Sequence, residues 1–107
     1  MDLLEKNIEL NKIYDLYQEL LTSKQQSYFE AYYFDDLSIS EISENYEISR
    51  NAVHDQLKRT VTKLNDLEQK LKLREMKKTR KSLYDKIVSK TDNQEIIDLV
   101  EDCKKVE

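Results

Sequence analysis

The chain has 107 residues, 22 acidic and 18 basic, a net charge of -4, and neither Gly nor Pro. Average usage would supply about a dozen of those two residues between them. Without them, tight hairpins and β-rich folds are disfavoured, and the abundant Leu, Lys, Glu, Asp, Gln and Ile are mostly acceptable or good helix formers. The composition therefore predicts an all-α helical bundle, a single domain over 1–107 with one modest core.

The first helix is expected from about Asp2 to Leu20, with Leu3, Leu10, Tyr17 and Ile13, Leu20 at heptad spacing forming one continuous apolar stripe. Thr22 or Ser23 then caps a second helix in which Tyr28, Phe29, Tyr32 and Tyr33 crowd one side, as core aromatics do. Asp35 and Asp36 end it. Ser38 followed by Glu41 is a capping box, and Ile39, Ile42 and Tyr46 form a short inward face behind it. Ser49 caps a fourth helix with Val53, Leu57, Val61 and Leu64 inward, its stripe continuing through Leu67 or Glu68 to Leu71. From Lys72 to Lys81 the basic run KLREMKKTRK is either a break or an exposed helical segment. A fifth helix, Ser82 to Lys90, carries Leu83, Tyr84, Ile87 and Val88. Thr91 to Asn93 cap a sixth, lined by Ile96, Ile97, Leu99, Val100 and a half-buried Cys103. The layout divides into a core over 1–71 and a basic segment with C-terminal helices over 72–107.

No charged-then-apolar signal segment opens the chain, and no apolar run approaches the ~18 residues that span a bilayer. One cysteine cannot form an internal disulfide. A cytoplasmic protein is expected.

The negative total hides a strong segregation of charge. Residues 1–48 carry a balance of -8, residues 49–81 one of +7, and residues 82–107 one of -3. Charges farther apart than the ~8 Å Debye length are screened from one another, so the local island decides what the surface attracts. That island begins on the fourth helix, which with the third reads as a helix-turn-helix whose second member lies in a major groove. Its outward positions are Arg50, Asn51, His54, Asp55 and Lys58, with Arg59 flanking. Arg donates bidentately to guanine and Asn to adenine, while Lys58 or Arg59 holds phosphate. Ser49 and the first amides of the helix receive another phosphate. The candidate nucleic-acid-binding set is Ser49, Arg50, Asn51, His54, Lys58, Arg59, Lys63, Arg74, Lys77, Lys78, Arg80 and Lys81. Two residues oppose the reading. Glu47 stands where the turn needs a positive φ that Gly usually supplies, at a cost of about a kilocalorie or more. Asp55 places a carboxylate on a face meant for phosphate.

The segments LTSKQ, EAYYFDDLSISEI and SRNAVHDQLKRT, in that order and spacing, resemble the bacterial YlxM family of helix-turn-helix proteins, over about Leu20 to Leu71. The family's helix-turn-helix in turn resembles region 4 of sigma factors. Departures are Glu47 in place of the usual Gly and His54 where Tyr is common. The resemblance implies a sigma region 4-like fold and a link to the signal recognition particle pathway, because the family's genes typically neighbour those for the particle's GTPase protein and its receptor. The implied role is accessory or regulatory, on DNA or on the particle's RNA and protein.

Three function classes follow. The first is a non-enzymatic nucleic-acid-binding accessory protein using DNA or particle RNA. The second is a protein-interaction module that docks on the particle's GTPase through the aromatic second helix and long fourth helix. The third, an enzyme, lacks its parts: His54 has no partnered nucleophile, one His and one Cys make no zinc set, and no Gly-rich phosphate loop exists. No cofactor or metal is expected. The heptad-spaced stripes of the first and fourth helices predict a homodimer.

Overall fold

A computed structural model describes residues 4–107, and the expectations placed on Asp2 and Leu3 lie outside them. The described chain is all-α, with six α-helices: α1 (Ile8–Tyr17), α2 (Ser23–Tyr33), α3 (Ile39–Tyr46), α4 (Arg50–Leu71), α5 (Leu73–Ser89) and α6 (Gln94–Lys105). It divides into two compact units, Met1–Lys72 and Leu73–Glu107. None of these helices is long and apolar enough to cross a membrane.

In the first unit, each helix starts on a side-chain cap. Asn7 is extended and its Oδ1 accepts from the Leu10 amide at 2.7 Å, so α1 opens at Ile8. At its other end Gln18–Leu20 tighten into a 3-10 turn. The change of pitch rotates Leu20 out of the predicted stripe, leaving it exposed, and Leu21 is buried instead. Thr22 and Gln25 form a reciprocal capping box for α2, with hydrogen bonds of 3.1 and 2.9 Å. Ser38 and Glu41 do the same for α3 at 3.1 and 3.2 Å. Each such cap is worth about 1 kcal/mol.

The core is aromatic on one side and aliphatic on the other. Tyr14 and Tyr33 stack on Phe29 at 4.2 and 4.3 Å between ring centroids, with Phe34 edge-on to Tyr14 and Phe29. Pairs of this kind add about 0.5–1.5 kcal/mol beyond their buried area. Burial pushes the Tyr14 phenol well above the ordinary tyrosine value, and the Glu30 carboxylate adds to the shift. Against these rings α4 delivers Val53, Leu57, Val61 and Leu64, all buried. It packs on α1, α2 and α3. Thr60, also buried, satisfies its hydroxyl by donating to the Gln56 carbonyl at 2.8 Å. Farther along, the Tyr17 hydroxyl donates to Glu68 at 2.8 Å and ties α1 to α4. The stripe then ends at half-buried Leu67; Leu71 is exposed, contrary to expectation. Tyr46 also differs from its inward assignment, for it is 43% exposed with its ring edge-on to Tyr28.

The stripes of α1 and α4 that predicted a dimer thus meet each other and their neighbours inside this unit. The same holds for Tyr28, Phe29 and Tyr33, which are buried and do not offer α2 as an aromatic docking face.

The second unit is an αα-hairpin. Lys72 adopts φ 56° and ψ 30°, its amide donating to the Glu68 carbonyl at 2.8 Å, and α5 begins at the next residue. The basic run is therefore a break at Lys72 followed by helix from Leu73, continuous with the predicted fifth helix. Its Lys, Arg, Glu and Met are straight-chain helix formers that give no reason to stop. Asn93 caps α6, accepting from the Glu95 amide at 2.9 Å. Among the residues of this unit only Val100 is fully buried, with Tyr84, Val88 and Ile97 half-buried. Cys103 is exposed rather than half-buried, because it sits one turn beyond Val100 and to the side of the contact with α5.

Candidate nucleic-acid interface

The interface begins with a turn made without glycine. Glu47, Ile48 and Ser49 separate α3 from α4, and Glu47 takes the left-handed conformation at φ 54° and ψ 44°. That conformation costs a residue with a Cβ about 1–2 kcal/mol. Local bonds offset it: the Ile48 amide donates to the Ser43 carbonyl at 3.1 Å, and the Ser43 hydroxyl donates to the Ile48 carbonyl at 2.6 Å. Ile48 itself is half-buried against the core and holds the turn down. The geometry that Gly ordinarily supplies is retained with Glu in its place.

Beyond the turn, Ser49 caps α4 by accepting from the Ala52 amide at 3.0 Å. The cap occupies a lone pair of its oxygen, and the hydroxyl proton is still able to donate to an anion. With Val53 and Leu57 pinned in the core, the helical period sends Asn51, His54, Asp55, Lys58 and Arg59 outward, and Arg50 leaves the first turn exposed. Asn51, His54, Asp55 and Lys58 share one face over about two turns, with Arg50 and Arg59 at its two edges. Asp55 and Arg59, one turn apart, are joined at 3.0 Å. The carboxylate that would oppose phosphate is thereby partly neutralised, and Arg59 carries a neighbour that a phosphate has to displace. Both side chains are more than half exposed, so the pair is weak.

The remaining candidates are less uniform. Lys63 is half-buried and its ammonium donates to the Leu20 carbonyl at 2.9 Å, which makes it a tie between α4 and the end of the first helical segment. Arg74, Lys77, Lys78, Arg80 and Lys81 belong to α5, in the second unit. Arg80 is paired with Glu107 there, and Lys77, Lys78 and Lys81 are exposed. The structure therefore places the candidates from Ser49 to Lys63 at the start of α4 or along it, and Arg74, Lys77, Lys78, Arg80 and Lys81 on a separate helix. Thr62 and Lys70, absent from the predicted set, line a groove along α4 with Lys58, Arg59 and Lys63. The four-residue steps 58, 62, 66 and 70 are the signal in the sequence that points to them. Among the described residues, no group of three or more His, Cys, Asp or Glu side chains is arranged to hold a metal ion.

Comparison with known proteins bears directly on this arrangement. Residues 4–104 match a family described as "Putative helix-turn-helix protein, YlxM / p13 like". The chain belongs to this YlxM-like family. It is 43% identical to the UPF0122 protein YlxM of Bacillus subtilis, over 97% of this chain and 98% of that one. A UPF0122 protein of Bacillus licheniformis is 46% identical over 85% of each chain, and one of a Geobacillus strain 40% identical over 98% and 100%. The match extends well past the Leu20 to Leu71 segment that carries the motif, and includes both helices of the second unit. The matched residues include α3, the turn at Glu47 and α4.

Proposed function

We propose that this protein is a non-enzymatic, cytoplasmic nucleic-acid-binding accessory protein that acts in the signal recognition particle pathway, on particle RNA or on DNA. The carrying observation is the turn at Glu47. By adopting the left-handed conformation it presents the first three turns of α4, with Asn51, His54 and Lys58 exposed on one face and Arg50 at its edge, as a groove-reading helix requires. Arg50 and Asn51 are the base-contacting candidates, and Ser49, Lys58 and Arg59 the phosphate-contacting ones. The pathway assignment rests on the kinship with YlxM and on the gene neighbourhood typical of that family. Docking on the particle's GTPase without nucleic acid is the weaker reading, since Tyr28, Phe29 and Tyr33 of the aromatic helix are buried and Tyr32 is half-buried.

Gel-shift titration against promoter DNA and particle RNA, repeated at rising salt, tests the proposal. Binding is expected to fall log-linearly with salt, since each phosphate contact releases counterions. Lys58→Glu is expected to weaken binding about tenfold and to flatten the salt slope by about one contact, whereas Asn51→Ala is expected to relax sequence preference and leave the slope unchanged. Absence of binding to both nucleic acids, or binding indifferent to salt, would overturn it.

A further inference from the structure

The second unit presents an apolar surface that its own fold does not explain. Met76, Leu83 and Ile87 on α5, and Ile96 and Leu99 on α6, are large apolar residues left exposed, Leu99 at 63%. They are not scattered. At about 100° per residue, Met76, Leu83 and Ile87 fall in one narrow sector of α5, beside the line of Tyr84 and Val88 that meets α6. On α6, Ile96 and Leu99 fall beside the line of Ile97 and Val100 that meets α5. Four residues join the helices, and Arg80 near the middle of α5 pairs with Glu107 beyond the end of α6, so the two run antiparallel. Reversing one helix reverses the sense of its rotation, and the two exposed sectors consequently open on the same side of the hairpin. The result is a continuous apolar face two helices wide.

A unit of 35 residues with one fully buried side chain lies below the size, about 40 residues, at which a core suffices without disulfides, metals or oligomerisation. The electrostatics of the face point to its occupant. At about 100° per residue, the outer edge of the face carries Lys86 and Glu75 on α5, and two acids, Glu95 and Asp102, on α6. A foreign partner would have to oppose both signs in the right order across a matching apolar stripe. A second copy turned by a two-fold axis parallel to the helices does so by symmetry, placing each α5 against the other chain's α6. The alternative two-fold pairing, α5 on α5 and α6 on α6, sets the Glu95 and Asp102 edge of one chain against the same acidic edge of the other.

We propose that this hairpin face is a self-association surface, closed by the same face of a second copy as an antiparallel four-helix bundle with α5 of one chain against α6 of its partner. This assignment is independent of the nucleic-acid reading of α4. It moves the dimer contact away from α1 and α4, whose stripes form the core of the first unit.

Sedimentation equilibrium of the full chain tests it. The expected mass at micromolar concentration is twice that of the 12.9 kDa chain. Leu83→Lys and Leu99→Glu, both at exposed positions, are each expected to raise the dissociation constant at least tenfold, with helicity by circular dichroism unchanged. Mixing the two variants is expected to restore association, because a mixed dimer replaces one apolar contact by a Lys–Glu pair and keeps the other. Should either variant lose helicity, Met76→Glu and Ile96→Lys repeat the test on the same face. A wild-type monomer at these concentrations, or a dimer that all four substitutions leave as tight, would overturn the proposal. A mixture no tighter than its components would overturn the pairing of α5 with α6.

Discussion

The two units of this chain are built from similar residues and differ in how they hold themselves together. In Met1–Lys72 three short helices wrap one long one, and fourteen described residues form a continuous buried cluster with a stack of aromatic rings at its centre. In Leu73–Glu107 two helices of comparable amphipathicity meet along a single line and fully bury Val100 alone. The difference lies in the number of neighbours each apolar stripe finds. Helix α4 has a partner on three sides and exposes only its outer face, the face that carries the candidate site. Within its own unit helix α5 packs on α6 alone, and part of its stripe is left exposed. A rigid frame for a reading helix and an open surface for association follow from one sequence style, according to helix count.

The contrast is broken most directly by Phe29→Ala. Phe29 is fully buried between two stacked tyrosines, and removing such a ring costs about 3–5 kcal/mol. Domains of this size are stable by only about 5–15 kcal/mol, so the first unit is expected to unfold at far lower urea while helicity belonging to α5 and α6 persists. A single cooperative transition that includes both units would contradict the division. The companion substitution is Val100→Ala, which removes two buried carbons and about 1.5 kcal/mol. Hydrogen exchange should speed about tenfold for amides of α5 and α6 and remain unchanged for α2 and α4. Acceleration throughout the chain would show that the hairpin supports the first unit.

The same contrast marks what was legible in the sequence. Where a local chemical signal exists, the reading and the structure agree: Ser38 starts its helix with the expected capping box, Thr22, one of the two caps expected for the second helix, starts that one, and Val53, Leu57, Val61 and Leu64 face the core. Periodicity also sufficed to direct Asn51, His54 and Lys58 outward. Long-range and phase-dependent features were not encoded in that way. The first helix begins at Ile8 behind its Asn7 cap, later than the apolar spacing suggests, since that spacing does not say where a helix starts. Leu20 and Leu21 exchange roles because a 3-10 turn shifts the phase by part of a residue. Lys63 reaches a carbonyl 43 residues away, a contact no local pattern specifies. In the second unit the spacing identified the apolar faces correctly, but periodicity says which side is apolar and not whether anything covers it.

A smaller effect, of opposite sign, sharpens the account of the turn. In a chain without glycine, Asp36, Glu47 and Lys72 all occupy the left-handed region. Glu47→Gly removes the steric cost of about 1–2 kcal/mol and returns part of it as backbone entropy lost on folding, for a net stabilisation of about 0.5–1 kcal/mol. Glu47→Ala keeps the Cβ and is expected to leave the midpoint nearly unchanged. Thermal melts of the three proteins distinguish the steric account from one based on the charge of Glu47, under which both substitutions would act alike.

The smallest effect concerns the contact that joins the start of the first unit to the end of α2. Lys6 lies 2.6 Å from the Asp36 carboxylate and 4.5 Å above the Tyr32 ring, and the Lys6 ammonium holds the Asp36 carboxyl below its ordinary value. Between that lowered value and the ordinary one, the unfolded chain binds more protons than the folded one, so stability rises with pH across this window. The contribution is complete above the ordinary aspartate value and is lost as pH falls through the lowered one. Asp36→Asn removes the titration while keeping a residue that tolerates the left-handed backbone, unlike most replacements there. It is expected to flatten the acid limb of the stability curve slightly at low salt and to have no such effect at about 1 M salt, where exposed pairs are screened. An acid limb unchanged by Asp36→Asn at low salt would leave Lys6 anchored by the Tyr32 ring alone, and the aromatic core would then account for the first unit's stability without help from its surface charges.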